Sequence, residues 1–303
     1  MDYLIPKNKI FSMIIPPRKL VLSGGGIRVT AHVGALKTLN DKGYLRFIRE
    51  YIGVSAGALL STLFVIGYTI QQIEKLCMEL DFSVIRNFDP ADALDILENY
   101  GVDSGENLEK LVHSVFRIKG VSTDLTFEQA VAKGMPLLRI FATNLNTCSF
   151  VEYSAKKTPD TPIIFALRAS MCLPLYFNPV QDPHTKHLLV DGGVIANYPI
   201  EYLSEEEQKE TLGLKFNDVR SKVESHDSLI VFLNQLLSAS YVSSRISNKH
   251  DNRTIIIPCG EYPSWNFEAS KEDRKLLYDI GCKAVNDFMK LKRSINGLRR
   301  YSV

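Results

Sequence analysis

Tyr51-Ile52-Gly53-Val54-Ser55-Ala56-Gly57-Ala58-Leu59-Leu60 carries an apolar run into a serine held between two glycines. The residues before the serine read as a strand and those after Gly57 as a helix. Gly53-Val54-Ser55-Ala56-Gly57 therefore stands where a Gly-x-Ser-x-Gly turn forms a nucleophile elbow, with the Ser55 hydroxyl lifted clear of the sheet. Glycine is needed on both sides because the turn presses backbones together and leaves no room for a Cβ. A small-residue turn opening a packed helix would have the same spelling, so Ser55 gains its weight from two stretches elsewhere.

Upstream, Lys19-Leu20-Val21-Leu22 is a short apolar strand that runs through Ser23 into Gly24-Gly25-Gly26-Ile27-Arg28, and a helical pattern follows through Ala31, Ala35, Leu36 and Leu39. Backbone N–H groups at such a junction lack helical partners, so they can hold an anion or the oxyanion of a tetrahedral intermediate. Downstream, Leu188-Leu189-Val190 delivers Asp191-Gly192-Gly193 at another strand end. Serine, glycine turn and acid are thus all expected at the ends of strands.

The order and spelling of these stretches resemble the patatin-like phospholipase family. Gly24-Gly25-Gly26-Ile27-Arg28 is similar to its oxyanion-hole motif, Gly53 to Gly57 to its elbow, and Asp191-Gly192-Gly193 to its acid motif. Ala169-Ser170-Met171-Cys172-Leu173-Pro174-Leu175-Tyr176-Phe177-Asn178-Pro179 and Asn197-Tyr198-Pro199 extend the likeness, which covers about residues 18–200. The resemblance implies an α/β fold, a three-layer sandwich with a mixed central sheet flanked by helices. It implies a serine acyl hydrolase of phospholipase A or lysophospholipase type that cleaves carboxylic esters of lipids, with no cofactor and no metal. Its partner would be phospholipid at a membrane or micelle surface.

The resemblance further implies that Asp191 takes the Ser55 proton directly, as one half of a catalytic dyad. An ordinary aspartate titrates at about 3.9 and a good base nearer 7, so burial has to raise it. The oxyanion is expected on the N–H groups of Gly25, Gly26 and Ile27 within the Gly24 to Arg28 loop, at roughly 3–4 kcal/mol per donor. Val29 departs from the family pattern, which has glycine there, and this bears on head-group preference.

The rest of the chain frames that reading. Its 303 residues suit one catalytic domain over residues 18–303, behind an N-terminal arm over 1–17 that Pro16-Pro17 cuts too short for a signal peptide. A net charge of +2 lacks the basic excess that nucleic acid requires. The cysteines, five in number and scattered, suit reduced thiols in an intracellular, cytoplasmic protein that could sit peripherally on membranes. Ile52 to Ile70 is uncharged, but it starts at the elbow and carries glycine, serine and threonine, so a buried helix is expected rather than a membrane span. Residues 71–116 read as helical, a wall or lid. Strands are expected at 138–143, 148–153, 211–216 and 254–258, helices from Thr126, Pro162 and Ser204, and the stretch from Pro174 to Pro183 is expected to be loop. A final helix carries a stripe of Leu276, Ile280, Ala284, Phe288, Leu291, Ile295 and Leu298.

Two other readings stand beside the dyad. A Ser-His-Asp hydrolase needs a histidine after the acid, and His226 and His250 are the two that qualify. His32, His113, His184 and His187 read as surface residues. A catalytically inactive lipid- or phosphate-binding module would use the glycine loop as a cradle, although the loop has neither the Gly-x-Gly-x-x-Gly nor the Gly-Lys-Ser/Thr spelling.

Overall fold

The computed structural model of the chain describes residues 16–87, 96–217, 252–260, 262–264 and 266–298. Strand β1 (Lys19–Leu22) passes through a single helical turn at Gly26–Arg28 into helix α1 (Val29–Asp41). Strand β2 (Glu50–Val54) is separated from α2 (Ala56–Val65) by Ser55 alone, and α3 (Ile70–Glu79) follows. Next come α4 (Ile96–Asn99), β3 (Gly101–Asp103), α5 (Glu106–Ile118) and α6 (Phe127–Ala132). β4 (Leu137–Asn144) and β5 (Ser149–Ser154) form a hairpin, then α7 (Ile163–Ser170) leads to β6 (Leu175–Phe177), β7 (Val180–Gln181) and β8 (Leu188–Asp191). The chain continues through α8 (Gly193–Ala196), α9 (Glu205–Lys209), β9 (Thr211–Phe216), β10 (Thr254–Ile257) and α10 (Lys271–Leu298).

The sheet is mixed, in the order β10-β9-β1-β2-β4-β8-β7, with β5 on the other side of β4. Strands β10, β9, β1, β2 and β4 are parallel, whereas β5 and β8 run antiparallel to β4. Side chains alternate along the parallel strands. Leu20, Leu22 and Tyr51 join a large core with α1, α2, α3, α7 and α10. Val21, Ile52, Val54 and Phe141 face the other way, onto Ile200 and Leu203. Helices therefore flank a central sheet, as the resemblance implied.

Register brings the motifs together. β5 takes one edge of β4, so β2 and β8 must share the other, end to end. Val54 pairs with Phe141, and Asp191 with the next residue, Ala142. The residue after Val54 thus lands beside Asp191. β1 has β2 on one side and β9 on the other, so the strand order reverses there and the crevice opens at its carboxyl end, over the glycine turn.

Helix starts follow local chemistry. Thr126 and Ser204 each cap their helix through a reciprocal box with Gln129 and Glu207. Three expectations need correction. The stretch from Pro174 to Pro183 is not all loop, and residues 71–116 are not all helix, because β6 pairs in parallel with β3 in a small second sheet. The stripe on α10 also holds only in part: Ala284 is buried and Ile280 and Phe288 pack against the core, but Leu276 and Leu291 are exposed while Leu277, Val285 and Met289 are buried. Close approach sets that face. A Cβ on Gly281 would lie 1.8 Å from the Ala31 carbonyl oxygen, and one on Gly34 would lie 2.0 Å from that of Tyr278, so the glycines and not the leucines decide which side of α10 meets α1.

The apolar Ile52 to Ile70 is divided among β2, α2 and the start of α3. Among the described residues no helix is long and apolar enough to cross a membrane. Apart from Pro16 and Pro17, the expected N-terminal arm lies outside the described residues, as do His226 and His250.

Candidate active site

Ser55 occupies φ 54°, ψ −130°, a conformation that favours glycine and that costs other residues of the order of 1–3 kcal/mol. Its surroundings hold it there. The Ser55 N–H donates to Ser170 Oγ at 2.9 Å, and Ser170 Oγ donates to the Phe141 carbonyl at 2.6 Å, so the end of α7 pins the turn to β4. The Ser55 carbonyl accepts from the Ala58 and Leu59 N–H groups at the start of α2. Both flanking glycines are obligatory on distance: a Cβ on Gly53 would stand 2.4 Å from the Gly57 oxygen, and one on Gly57 would stand 2.5 Å from the Ser23 oxygen.

Asp191 ends β8 and is buried at 6% exposure. Its Oδ1 accepts the Gly193 N–H at 2.7 Å. Burial pushes the carboxyl up to about 6, against the neighbouring Ser55 hydroxyl and the Gly193 N–H, both of which lower it. Desolvation wins, which is the direction a base for a serine needs. Gly192 allows the strand end to close on β4, since a Cβ there would lie 2.4 Å from the Phe141 oxygen.

In the glycine turn the donors are not shared out as the sequence suggested. The Gly24 N–H donates to the Asn197 carbonyl at 3.0 Å, the Ile27 N–H to the Ser264 carbonyl at 2.9 Å, and the Arg28 N–H to the Gly25 carbonyl at 3.0 Å. Arg28 Nε donates to the Tyr262 carbonyl at 2.6 Å. These groups are occupied, so Gly24, Ile27 and Arg28 hold the turn rather than offer N–H groups to a ligand. The N–H groups of Gly25 and Gly26 have no partner among the described residues. Ala56, the first residue of α2, adds a third N–H without a helical acceptor.

Several site residues were given no role of their own from the sequence. Asn197 returns a second bond to the turn, from Nδ2 to the Gly24 carbonyl at 3.1 Å. Ala56 could have been found, because the residue after an elbow serine commonly supplies an oxyanion N–H. Tyr262 and Ser264 contribute main-chain oxygens, which no side chain announces. His32 was expected at the surface and is fully buried.

The turn's dependence on Ser264 can be measured. Gly26 has φ +52°, and a Cβ on it would stand 2.0 Å from the Ser264 oxygen. Gly26→Ala is expected to destabilise the protein by about 1–3 kcal/mol, read as a lower urea midpoint. An unchanged midpoint would mean that the segment gives way freely.

Ser55, Asp191 and Gly26 line an apolar cavity. Its walls are Val29 and Val33 of α1, Leu59 and Leu63 of α2, Ile73 and Leu76 of α3, and Leu111 and Val115 of α5. Leu59 and Leu63 continue the Ser55 face of α2 at intervals of one turn, so the cavity extends about 12 Å along that helix. α3 and α5 are walls of this cavity. Val29 faces the cavity too, which places the departure from the family pattern on its apolar wall. Among the described residues no three His, Cys, Asp or Glu side chains converge to hold a metal ion.

Comparison with known proteins bears on the family and the fold. A sequence model described as "Patatin-like phospholipase" matches residues 20–204. Uncharacterized protein R571 of Acanthamoeba polyphaga mimivirus is 31% identical over 298 residues, covering 94% of this chain and 97% of that protein. The probable lipid hydrolase 463L of Invertebrate iridescent virus 6 is 29% identical over 227 residues, or 74% of this chain and 73% of that one. Among solved structures, VipD from Legionella pneumophila superposes with a TM-score of 0.60 at 18% identity, over 91% of this chain and 67% of its own. That last likeness is one of fold.

Proposed function

The chain belongs to the patatin-like phospholipase family, and from that premise we propose that it hydrolyses carboxylic esters of lipids, with Ser55 as nucleophile and Asp191 as its base. The observation that carries the reading is the Ser55–Asp191 pair in the lining of a cavity with apolar walls. The Ser55 oxygen attacks the ester carbonyl as its proton passes to Asp191. The carbonyl oxygen, now negative, takes the N–H groups of Gly25, Gly26 and Ala56. The tetrahedral intermediate collapses, the C–O bond to the alcohol breaks, and Asp191 returns the proton to the leaving oxygen. Water then attacks the acyl-enzyme as Asp191 accepts its proton, the acyl C–O bond to Ser55 breaks, the proton passes to the Ser55 oxygen, and a free fatty acid leaves.

Direct transfer is favoured over a histidine relay because register sets Ser55 beside Asp191, and among the described residues no histidine lines the cavity that the two share. The cavity supports a long acyl chain, which would lie along α2 towards Leu63. Val29 would then act on acyl chains more than on head groups. The unit carrying the activity is residues 18–303, since Tyr262 and Ser264 hold the motif turn.

The test is phosphatidylcholine in mixed micelles with a different labelled chain at each position. Release of labelled fatty acid and lysolipid is expected, with no phosphate ester cleaved. Fatty acid released equally well by protein whose Ser55 has been blocked with a fluorophosphonate would overturn the assignment.

A further inference from the structure

His32 lies in the first turn of α1, within an uncharged run, and is 0% exposed. Its Nε2 stands 3.1 Å from the Ser23 carbonyl oxygen and 3.4 Å from the Ser23 hydroxyl. A carbonyl only accepts, so the proton is on Nε2. Nδ1 is then an acceptor, and it has no partner among the described residues. The ring stacks on Phe216 with centroids 4.1 Å apart at 23°. Phe216 in turn fills the space beneath Gly25, where a Cβ would be 2.2 Å from its Cε2. The Ser23 carbonyl that His32 holds is the one on which Gly57 of the nucleophile helix closes.

One buried ring thus grips the glycine turn at two points: the carbonyl just before Gly24 by a hydrogen bond, and Gly25 through Phe216. Filling space does not require a histidine. A phenylalanine would stack as well and would not bury an unpartnered nitrogen, which costs stability. What phenylalanine lacks is the donor to Ser23. Proton transfer is no explanation either, since burial drives the ring down to about 3 and keeps it neutral.

We propose that His32 is a positioning residue that aims the Gly25 and Gly26 N–H groups at the oxyanion of the Ser55 reaction. The proposal rests on the reading of that turn as the oxyanion hole. His32→Phe keeps the stack and loses the donor. His32→Gln keeps an N–H at the distance of Nε2. His32→Phe trades an unpartnered Nδ1 for an unpartnered Ser23 carbonyl, so it is expected to melt close to wild type, and to lose kcat by about 10- to 100-fold at unchanged KM, because small misplacements of a catalytic group have costs of that size. His32→Gln should recover most of the loss.

Amide hydrogen exchange supplies a readout that does not depend on hydrolysis. Exchange over Ser23 to Ile27 should quicken in His32→Phe and return towards wild type in His32→Gln. If the phenylalanine variant keeps wild-type exchange there, or keeps wild-type kcat, His32 does not set the turn. If kcat, KM and melting temperature all fall together and glutamine does no better than phenylalanine, the role is packing and the proposal is wrong. Should wild type release no fatty acid, the reading of function fails by itself, while exchange still decides whether His32 holds the turn.

Discussion

Ser55→Ala will fold and release no fatty acid, with turnover reduced by at least about 10⁴-fold, the scale on which removal of a serine nucleophile acts in other hydrolases. The loss is of an attacking atom and not of shape. Alanine keeps the Cβ, and the Ser55 N–H still donates to Ser170 Oγ. The strain at φ 54° also stays, because it belongs to any residue with a Cβ. Ser55→Gly separates strain from chemistry. It should be equally inactive but more stable than Ser55→Ala, by about 1 kcal/mol once the glycine's extra freedom in the unfolded chain is set against the relief. Labelled phosphatidylcholine and urea midpoints measure the two effects. Turnover above a hundredth of wild type in folded Ser55→Ala would assign the nucleophile elsewhere, and a glycine variant less stable than the alanine one would show the elbow to be unstrained.

What was legible in the sequence is what is local. An elbow announces itself because its glycines are demanded within four residues of one another, and the glycine turn and the acid each follow a short apolar strand. The fold class came from the family those motifs resemble. What brings the motifs together could not be read. Asp191 reaches Ser55 because β2 and β8 share one edge of β4 at successive residues, and register between distant strands leaves no mark in either strand.

Main-chain partners were equally silent. Ile27 looked like a free donor because its acceptor, the Ser264 carbonyl, lies far along the chain and is common to every residue type. β3 and β6 have three residues each, too few for alternation to show, and Pro174 and Pro179 argued for loop. His32 was misplaced for a related reason. α1 is buried over Thr30 to Leu36, so it has no polar face by which to tell inside from outside. The absence of charge from Val29 to Leu36 was the available signal. On α10, the large apolar residues misled at Leu276 and Leu291, while Gly281 and its close approach to Ala31 mark where the helix meets α1.

Asp191→Asn carries the second large effect, and it acts in opposite directions on rate and stability. Asparagine keeps an oxygen for the Gly193 N–H but cannot take the Ser55 proton, so turnover should fall by about 10³- to 10⁴-fold. In wild type the carboxylate is the working form, so kcat/KM should drop about tenfold per pH unit below an apparent pKa of about 6, and the residual rate of the variant should lose that limb. Stability runs the other way. The folded pKa is raised from the ordinary 3.8 to about 6, so the contribution of Asp191 to stability is full below the unfolded value and is lost as pH rises through 6. Above pH 7 the wild type therefore carries a penalty of roughly 3 kcal/mol that the neutral amide avoids. Asp191→Asn should have the higher urea midpoint at pH 8, and the difference should close by about pH 4. A variant less stable than wild type at pH 8 would mean that the folded protein favours the carboxylate. The base would then be too weak for the role given to it, and the proton from Ser55 would have to go elsewhere.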